Sequence, residues 1–466
     1  MNVNRRTFLT TMAATGAALL AHRGRAQQVP NRPDAPPSPQ PADAPTPPAL
    51  DFEVGFDVVV AGAGVAGVAA ALAAARQGAK VCLIEKTIFP GGLATTGCIL
   101  HYLPLSDCRG NQATFGIAEE LLHASLKYGP GEVPPDWMNP ETKSRYDAKF
   151  NPASFILALD ELLGAAGVDV WLDTLVCRAR VEAGRLTGIE VENKSGRGLV
   201  RGKVFVDGTG DADVAYRAGA PCVTGKNALA IWSLAYSLDA ARQAVQQESG
   251  HPLMKLVTEG ALDDGSKAIR GVRSFSGVDG HDVSEFILTG RRYLLDYYKR
   301  EQQKRGANGR KDIYPSFLPA MADFRTTRRI DGIYSMGNDD AFRHFPDSVG
   351  LVAEWYSGKT LWETPYRSLL PRKVRGLLAA GRCMASGGRA WSVMRVIQAA
   401  AMTGEVCGLA AARSVERGIT PDRIDLPWLQ GELVKRKFVL DVREIKTEVA
   451  VTDAPAIAVP NATFYE

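Results

Sequence analysis

Three glycines near the start of the apolar part of the chain have the spacing of a phosphate-binding turn. Gly62, Gly64 and Gly67 follow the apolar stretch at residues 57–61 in the order GxGxxG and open an alanine-rich helical pattern. The first glycine allows a tight turn, the second lets a pyrophosphate approach the backbone, and the third lets the helix lie close to the strand. The amide groups at the start of that helix would face the phosphates. The order of these residues therefore predicts a nucleotide site at the end of a buried parallel strand.

An acidic residue ends the second apolar strand of this unit. Glu85 directly follows the stretch KVCLI at residues 80–84. A carboxylate at this position accepts hydrogen bonds from the ribose hydroxyls of an adenosine, and it repels a 2′-phosphate. The GxGxxG spacing alone is a weak signal, but the order strand, glycine turn, helix, strand and acid is specific. It predicts a dinucleotide site.

Three further motifs favour FAD over NAD as the dinucleotide. They are Gly91-Gly92, Gly208-Thr209-Gly210 and Gly381-Arg382. Glycines at these places let the backbone pass close to further parts of a larger cofactor, and a domain that binds NAD alone needs none of them. An NAD-only dehydrogenase remains a rival interpretation, which a yellow purified protein would exclude.

Seven stretches of the chain carry a resemblance to a known family. They are GAGVAG, PGGLATTG after Glu85, GIAEELL, NPASFILALDELLGAAGVDVWLDT, VDGTGDADVAYRAGAP, DFRTTRRIDG, and the run from AGRCMA to AMTGEVCGLAAA. The chain resembles the glutathione-reductase-like FAD-binding superfold and, within it, the bacterial FAD-dependent oxidoreductase family, which is akin to the flavoproteins of fumarate reductase and succinate dehydrogenase. The resemblance covers most of residues 55–415. It implies an α/β fold: a Rossmann-like FAD-binding domain with a parallel sheet and a β-meander, plus a mainly helical cap for the substrate.

The resemblance also implies which residues bind FAD. They are Gly62, Gly64, Gly67, Glu85, Gly92, Cys177, Gly210, Gly381, Arg382, Arg395 and Val396. The first four would hold the ADP half. Gly92 and its neighbours would pass the pyrophosphate and the flavin, and Val176 or Cys177 would contact the adenine side.

The flavin end is assigned to the C-terminal motif. Gly381 and Arg382 would approach the ribitol, although many members of the superfold have Asp where this chain has Arg382. Arg395 and Val396, at the start of the last helix, would lie near the flavin pyrimidine. A cation or a helix N-terminus there stabilises negative charge on the ring.

The first 50 residues have the features of an export leader and a spacer. Residues 1–26 carry the pair Arg5-Arg6, then a short apolar run, then small residues at a plausible cleavage point, as twin-arginine signals do. Residues 27–50 are proline-rich and suit an extended linker. We therefore expect a periplasmic or secreted protein that is exported already folded around its cofactor. A basic, unstructured N-terminus is the alternative.

Charge and cysteine content exclude several classes of partner and site. The chain has 55 basic and 51 acidic residues, and four of the arginines lie in the leader, so the mature protein is near neutral. We expect neither nucleic-acid binding nor stable membrane insertion. The seven cysteines include no CxxC, so no metal site is predicted, and Cys98 and Cys108 are interpreted as unpaired thiols.

The glycine motifs also divide the chain. They fall in two segments of one FAD-binding domain, residues 51–221 and 366–420, which enclose a block without such motifs at 222–365. That block has helical periodicity and is the expected cap or substrate domain. Residues 421–466 are left as a C-terminal tail.

Candidate catalytic residues come from two places. His101 and Tyr102 follow the Gly91-Gly92 motif, and the cap returns with three arginines. The arginines are Arg325, Arg328 and Arg329. His101 could act as a base or a covalent flavin anchor, or it could only line the pocket. The arginines could clamp an anion, with Arg328 the first choice, or they could form salt bridges within the protein. His344 and Tyr366 are weaker candidates, and Trp391 is expected to pack in the core.

These observations predict an FAD oxidoreductase that dehydrogenates a C–OH or C–C bond of a small polar molecule. Its electrons would go to a separate acceptor or to O2, since the sequence holds no CxxCH haem motif. One rival is a fumarate-type reductase of an activated double bond. Another is a flavin-binding protein without turnover.

Overall fold

The computed structural model describes residues 49–107, 109–133, 148–261, 268–354, 360–447 and 449–454. The predicted leader at 1–26, all but the last two residues of the linker at 27–50, and Cys108 lie outside the described residues.

Strands and helices are numbered along the described chain. The strands are β1 (Phe52–Ala61), β2 (Val81–Ile84), β3 (His101–Tyr102), β4 (Ala148–Lys149), β5 (Asp169–Trp171), β6 (Leu175–Glu182), β7 (Arg185–Asn193), β8 (Gly196–Asp207), β9 (Cys222–Thr224), β10 (Ala230–Ser237), β11 (Lys255–Gly260), β12 (Ile313–Phe317), β13 (Arg328–Ile330), β14 (Arg343–His344), β15 (Ser348–Ala353), β16 (Leu361–Pro365), β17 (Leu377–Ala379) and β18 (Thr452–Asp453). The α-helices are α1 (Val65–Arg76), α2 (Ile117–Leu126), α3 (Pro152–Ala165), α4 (Asp213–Arg217), α5 (Leu238–Gln246), α6 (Gly280–Lys304), α7 (Gly309–Asp312), α8 (Gly388–Met394), α9 (Ile397–Arg417) and α10 (Leu426–Lys435). Short 3-10 helices lie at Gly92–Ala94, His251–Leu253, Gly306–Asn308, Asn338–Asp340, Tyr366–Leu369, Gly381–Cys383, Pro421–Arg423 and Val442–Glu444. No helix in the described residues is both long enough and apolar enough to cross a bilayer.

The main sheet has seven strands in the order β5-β2-β1-β8-β7-β6, and β17 pairs with the end of β8. Strand β1 is central and pairs in parallel with β2 and β8, and β8 pairs in parallel with β17. Strands β6, β7 and β8 form the predicted antiparallel meander. The apolar run of β1 at 58–61 is fully buried because helices or loops cover both of its faces, which is the pattern of a parallel strand.

Two helices of small residues lie side by side over this sheet, α1 and α9. An added Cβ at Gly404 would lie 2.1 Å from the carbonyl oxygen of Ala66, and one at Gly408 would lie 2.2 Å from that of Ala70. In each helix the two contact residues are four apart, which is about one turn. The earlier residue of α9 meets the earlier residue of α1, so the two helices run parallel. Their backbones can be this close only because glycine has no side chain.

The middle block contains a sheet as well as helices. Strands β11, β10 and β12 form an antiparallel sheet, and α6 covers one of its faces. The buried contact is made by Ile231, Val257, Leu294, Tyr298 and Ile313. The expectation of a mainly helical block therefore needs correction. The sequence of β10, AIWSLAYS, is apolar at most positions, so it lacks the polar–apolar alternation that identifies a strand in a sequence.

The chain rejoins the main cores before residue 365. Ile330 and Met336 already pack in the two cores that cover the faces of the main sheet. Trp362 of β16 is also fully buried in one of them. In the expected tail, Leu429 and Leu433 of α10 are fully buried, so at least this part of residues 421–466 belongs to the folded unit.

We predict that Gly408→Ala lowers the free energy of unfolding by about 1–3 kcal/mol. The added methyl group would meet the Ala70 carbonyl oxygen of α1, and backbone atoms inside a helix cannot turn away as a side chain can. Chemical denaturation of the purified protein measures this difference. Gly431→Ala in α10 is the matched control, because nothing lies within 4 Å of its added Cβ and helix propensity should stabilise it by up to about 1 kcal/mol. An equal loss of stability in both variants would contradict the contact.

Candidate functional site

The carboxyl ends of four parallel strands border one cavity. It holds about 940 Å³ of empty space, including its open mouth. Gly62 follows β1, Glu85 follows β2, Gly208 follows β8 and Ala380 follows β17, and all four residues line the cavity. Ligands of open parallel sheets bind at this edge. The cavity is therefore the candidate dinucleotide site.

The first glycine turn combines two close backbone contacts with one open position. Gly62 has a φ of +92°, and an added Cβ there would lie 2.6 Å from the carbonyl oxygen of Gly208. An added Cβ at Gly67 would lie 1.8 Å from the carbonyl oxygen of Gly62. Gly64 has only the Gly208 carbonyl oxygen nearby, at 3.8 Å, and it lines the cavity. Gly62 and Gly67 thus shape the turn, and Gly64 leaves the room that a pyrophosphate needs.

Glu85 holds this turn and faces the cavity at the same time. Its Oε2 accepts the N–H of Ala63 at 2.8 Å, and its Oε1 accepts the N–H of Thr87 at 2.8 Å. The residue is only 4% exposed. Each carboxylate oxygen can accept a second hydrogen bond, so both remain available to ribose hydroxyls.

A second glycine turn faces the first. Gly91 and Gly92 have φ values of +101° and +56°, and the N–H of Gly91 donates to the carbonyl of Ala63 at 2.7 Å. An added Cβ at Gly92 would lie 3.0 Å from the Cα of Gly64. A side chain at 92 would fill the gap between the two turns. This cradle fits a phosphate-containing cofactor.

The loop after β8 is fixed from below by a buried carboxylate and a buried thiol. Asp207 accepts hydrogen bonds from the N–H and hydroxyl of Thr209 and from the N–H of Ala215. The N–H of Gly210 donates to the Sγ of Cys383 at 3.1 Å. Burial raises the pKa of Asp207 and that of the Cys383 thiol. Both groups hold Gly208 and Gly210 at the cavity wall.

The far end of the cavity meets the start of α9. The N–H of Gly381 donates to the hydroxyl of Thr403 at 3.0 Å, which fixes this glycine turn against α9. Arg395 lines the cavity, and Val396 is the N-cap of α9. A guanidinium and the positive end of a 21-residue helix therefore lie at the same place. The arrangement favours negative charge on a bound ring system.

Most of the residues predicted to bind FAD line this single cavity. Those that do are Gly62, Gly64, Glu85, Gly92, Gly210, Gly381, Arg382 and Arg395. Gly67 lies behind the turn. Cys177 and Val396 are not in the lining, but their neighbours Val176 and Ile397 are. Side chains alternate across β6, so a prediction that is one residue off selects the opposite face.

The three arginines of the predicted anion clamp do not converge. Arg328 pairs with Asp213 at 2.6 Å, and its guanidinium stacks on Tyr216. Arg329, the next residue of β13, lies over the ring of Trp391. Arg325 donates to a backbone carbonyl of the middle block. The Arg328 prediction is therefore corrected: alternation along a strand sends neighbours to opposite faces, and Arg328 forms a salt bridge within the protein.

The adjacent candidates His101 and Tyr102 lie in different environments. Tyr102 is fully buried, and its hydroxyl donates to the carbonyl oxygen of Ala118. A side chain in this position cannot reach a substrate, so Tyr102 is a packing residue and not a catalytic one. His101 is half-buried, and its ring contacts that of Trp232 in the middle block at a centroid distance of 5.8 Å.

Cys98 lies three residues before His101, and its environment is that of an unreactive thiol. Burial, with a further effect of Asp323, raises the pKa of Cys98 to about 12. The group is therefore protonated at neutral pH and is a poor nucleophile. The cysteines in the described residues are all free thiols.

The weaker candidates lie outside the cavity lining. The hydroxyl of Tyr366 donates to the carbonyl of Pro421 at 2.9 Å. The indole N–H of Trp391 donates to the carbonyl of Arg382 at 3.1 Å, so the ring packs behind the cavity wall as expected.

His344 belongs to a separate group with two carboxylates. Its Nδ1 lies 3.2 Å from Glu363 Oε1 and 3.5 Å from Asp441 Oδ1, and these ligand-type atoms are all within 4.8 Å of one another. The N–H of Val442 already donates to Glu363, and the guanidinium of Arg443 pairs with Asp441 at 2.6 Å. We therefore assign no metal here, and the group connects the C-terminal segment to β16.

Some lining residues were not predicted as site residues. They are Lys86, Thr174, Asp213 and Met321, with apolar neighbours such as Leu93 and Ala400. Lys86 could have been found, because it directly follows Glu85 at a strand end. Met321 carries no sequence signal, since it comes from a loop of the middle block.

The chain matches a known protein family over more than half of its length. A sequence model of the family described as FAD dependent oxidoreductase matches residues 57–247 and 277–433. The digeranylgeranylglycerophospholipid reductase of Picrophilus torridus is 28% identical over 166 residues, which are 34% of this chain and 40% of that protein. The thioredoxin reductase of Ureaplasma parvum is 38% identical over 72 residues, 15% of this chain and 23% of that protein. The chain thus spans less than half the length of either relative. The structure of adenylylsulfate reductase from Archaeoglobus fulgidus is 14% identical, with 83% of this chain and 74% of that chain covered at a TM-score of 0.43.

We predict that Glu85→Gln weakens FAD binding by about 10- to 100-fold. The amide would place an N–H₂ group against the N–H of Ala63 or Thr87, and it would be a poorer acceptor for the ribose. Fluorescence titration of FAD into the flavin-free protein measures the Kd. Glu192→Gln, on the exposed end of β7, is the control and should keep the wild-type value. An unchanged Kd in Glu85→Gln would remove Glu85 from the site.

Proposed function

Because this chain belongs to the family of FAD dependent oxidoreductases, we propose that it is an exported enzyme that oxidises a small polar molecule. FAD is its cofactor. The observation that carries the proposal is the single cavity that joins the Gly62 turn and Glu85 at one end to Gly381 and Arg395 at the other. An oxidoreductase with FAD needs both ends, one to hold the ADP half and one to act on the flavin.

The chain's own residues bind and orient the cofactor. Amide groups at the start of α1 would hold the phosphates, and Glu85 would accept hydrogen bonds from the ribose hydroxyls. When bound, FAD supplies an acceptor for a hydride from the substrate. Arg395 and the start of α9 would stabilise negative charge on the reduced cofactor.

We propose dehydrogenation of a C–OH or C–C bond as the reaction. His101 is the candidate to take the substrate proton, because it follows the second glycine turn, is half-buried and contacts Trp232 of the middle block. A separate acceptor or O2 would be needed to take up the two electrons. Reduction of an unsaturated acid is less well supported. Its carboxylate would need a clamp, and Arg325, Arg328 and Arg329 face different neighbours.

We also propose export by the twin-arginine route. The support is the Arg5-Arg6 pair followed by a short apolar run, together with a cofactor cavity that is assembled from distant parts of the chain. Such a site exists only after folding, so the cofactor has to be loaded before the protein leaves the compartment that makes FAD.

The reaction is tested on the purified mature protein without oxygen, with sugars, alcohols and organic acids added one at a time. We expect one class of compound to bleach the flavin absorbance. His101→Gln should slow this bleaching by about 100-fold or more, because general base catalysis contributes that much. The variant should still be bleached normally by dithionite. His123→Gln, an exposed histidine of α2, is the control and should react like the wild type.

Other results would change the assignment. Reoxidation of the chemically reduced protein by an unsaturated acid, without bleaching by any tested donor, would favour the reductase. Bleaching that is equally fast in His101→Gln would remove His101 from the mechanism.

Export is tested by fractionating bacteria that express the whole chain. We predict that Arg5→Lys with Arg6→Lys keeps the protein in the cytoplasm, still yellow, because the paired arginines are the part of the signal that is read. Arg23→Lys with Arg25→Lys changes two arginines beyond the apolar run and should leave export intact. Cytoplasmic wild-type protein, or export of both double variants, would refute the route.

A further inference from the structure

A segment of the middle block borders the cavity through Met321 and is hydrogen-bonded to the cavity walls at both of its ends. We call residues 320–328 the strap. At its first end, the N–H of Ala320 donates to the carbonyl of Thr96 at 2.8 Å. Thr96 in turn donates its hydroxyl to the carbonyl of Gly92 at 2.8 Å, so this end is fixed to the second glycine turn.

The second end of the strap is fixed to the loop after β8 by one carboxylate. The hydroxyl of Thr327 donates to Asp211 Oδ1 at 2.6 Å. Arg382 Nη2 donates to the same oxygen at 3.1 Å. Arg382 also donates through Nη1 to the carbonyl of Phe324 in the strap. Asp211 and Arg382 thus form a half-buried ion pair that holds this end of the strap.

A third contact strengthens this end. The Nε of Arg328 donates to the backbone carbonyl of Asp211 at 3.0 Å, and its Nη2 pairs with Asp213. Between the two ends, Met321 lines the cavity. A ligand in the cavity would therefore lie against Met321, and displacement of the strap would widen the cavity on this side.

We propose that Asp211 is the latch of the strap and sets how fast FAD enters and leaves the protein. The inference depends on FAD in the cavity, but on neither the proposed substrate nor export. Asp211 is absent from the cavity lining, so it acts through the strap and through its partner Arg382, which lines the cavity.

The positions of the contacts predict a specific kinetic signature. Asp211, Thr327 and Arg382 hold the strap by bonds within the protein. Weakening these bonds favours the open strap in both the loaded and the flavin-free protein. The rates of FAD association and release should therefore rise by similar factors, while the Kd changes much less. A variant that merely damages the site would raise release, slow association and raise the Kd.

Two neighbouring threonines of the strap provide a matched test. Thr327→Val removes the hydroxyl that donates to Asp211 and, at 3.3 Å, to the carbonyl of Gly210, and it keeps the shape of the side chain. Thr326→Val removes a hydroxyl that donates to the backbone carbonyl of Lys226, within the middle block. This hydroxyl makes no bond to the latch. We expect both rates to rise about 3- to 10-fold in Thr327→Val and to stay unchanged in Thr326→Val.

Asp211→Asn tests the charge of the latch directly. It breaks the ion pair with Arg382, and we expect both rates to rise about 10- to 100-fold, because hydrogen bonds to charged groups are the stronger kind. Release is followed by exchange of bound FAD for excess isotope-labelled FAD in the intact protein. Association is followed by the loss of FAD fluorescence on mixing with flavin-free protein.

The outcomes separate clearly. Equal rates in the two threonine variants would overturn the proposal, and so would a higher Kd with slower association in Asp211→Asn. If Asp211→Asn does not fold, the pair of threonine variants still decides. In either case the yellow colour and the reaction with substrate are measured separately, so a failed latch does not affect the proposed activity.

Discussion

The structure depends on the close contact between α1 and α9. Gly404 and Gly408 let the backbone of α9 approach the carbonyl groups of Ala66 and Ala70. Because the helices are parallel, both N-termini point to the same end of the sheet, and that end holds the cavity. Gly404 lies level with Ala66, and α9 begins at Ile397, seven residues before Gly404. The N-terminus of α9 therefore extends about 10 Å beyond the level of Ala66. The two positive helix ends would therefore lie near different parts of a long anionic cofactor.

The remaining walls of the cavity follow from this arrangement. Four parallel strands end at one level, and each is followed by a turn that needs a small residue or a buried acid. Asp207 and Cys383 lie below the turn after β8, and they are fully enclosed. Their hydrogen bonds go to backbone N–H groups of that turn, so they fix the loop and leave the cavity free for the ligand.

The residues at the phosphate end could be predicted from the sequence because this part of the site places demands on the backbone that only certain residue types meet. Gly62 must have a positive φ and Gly67 must touch a carbonyl group, and only glycine meets both demands. The reacting end was not predictable in the same way. Tyr102 and Arg328 have suitable chemistry, but Tyr102 lies in a two-residue strand and is turned into the core, and Arg328 pairs with Asp213, the first residue of α4. Such orientations depend on register and tertiary contacts, which no short motif encodes.

Arg382 belongs both to the cavity wall and to the contacts that hold the strap. It lines the cavity, yet its guanidinium is bound to Asp211 and to a carbonyl of the strap. A free cation at this position would pair with the phosphates of the ligand. Bound as it is, its charge is largely balanced by Asp211, and the attraction for the pyrophosphate is left to the amide groups of α1. The same salt bridge thus separates two tasks, because the helix end provides affinity and the paired side chains govern access.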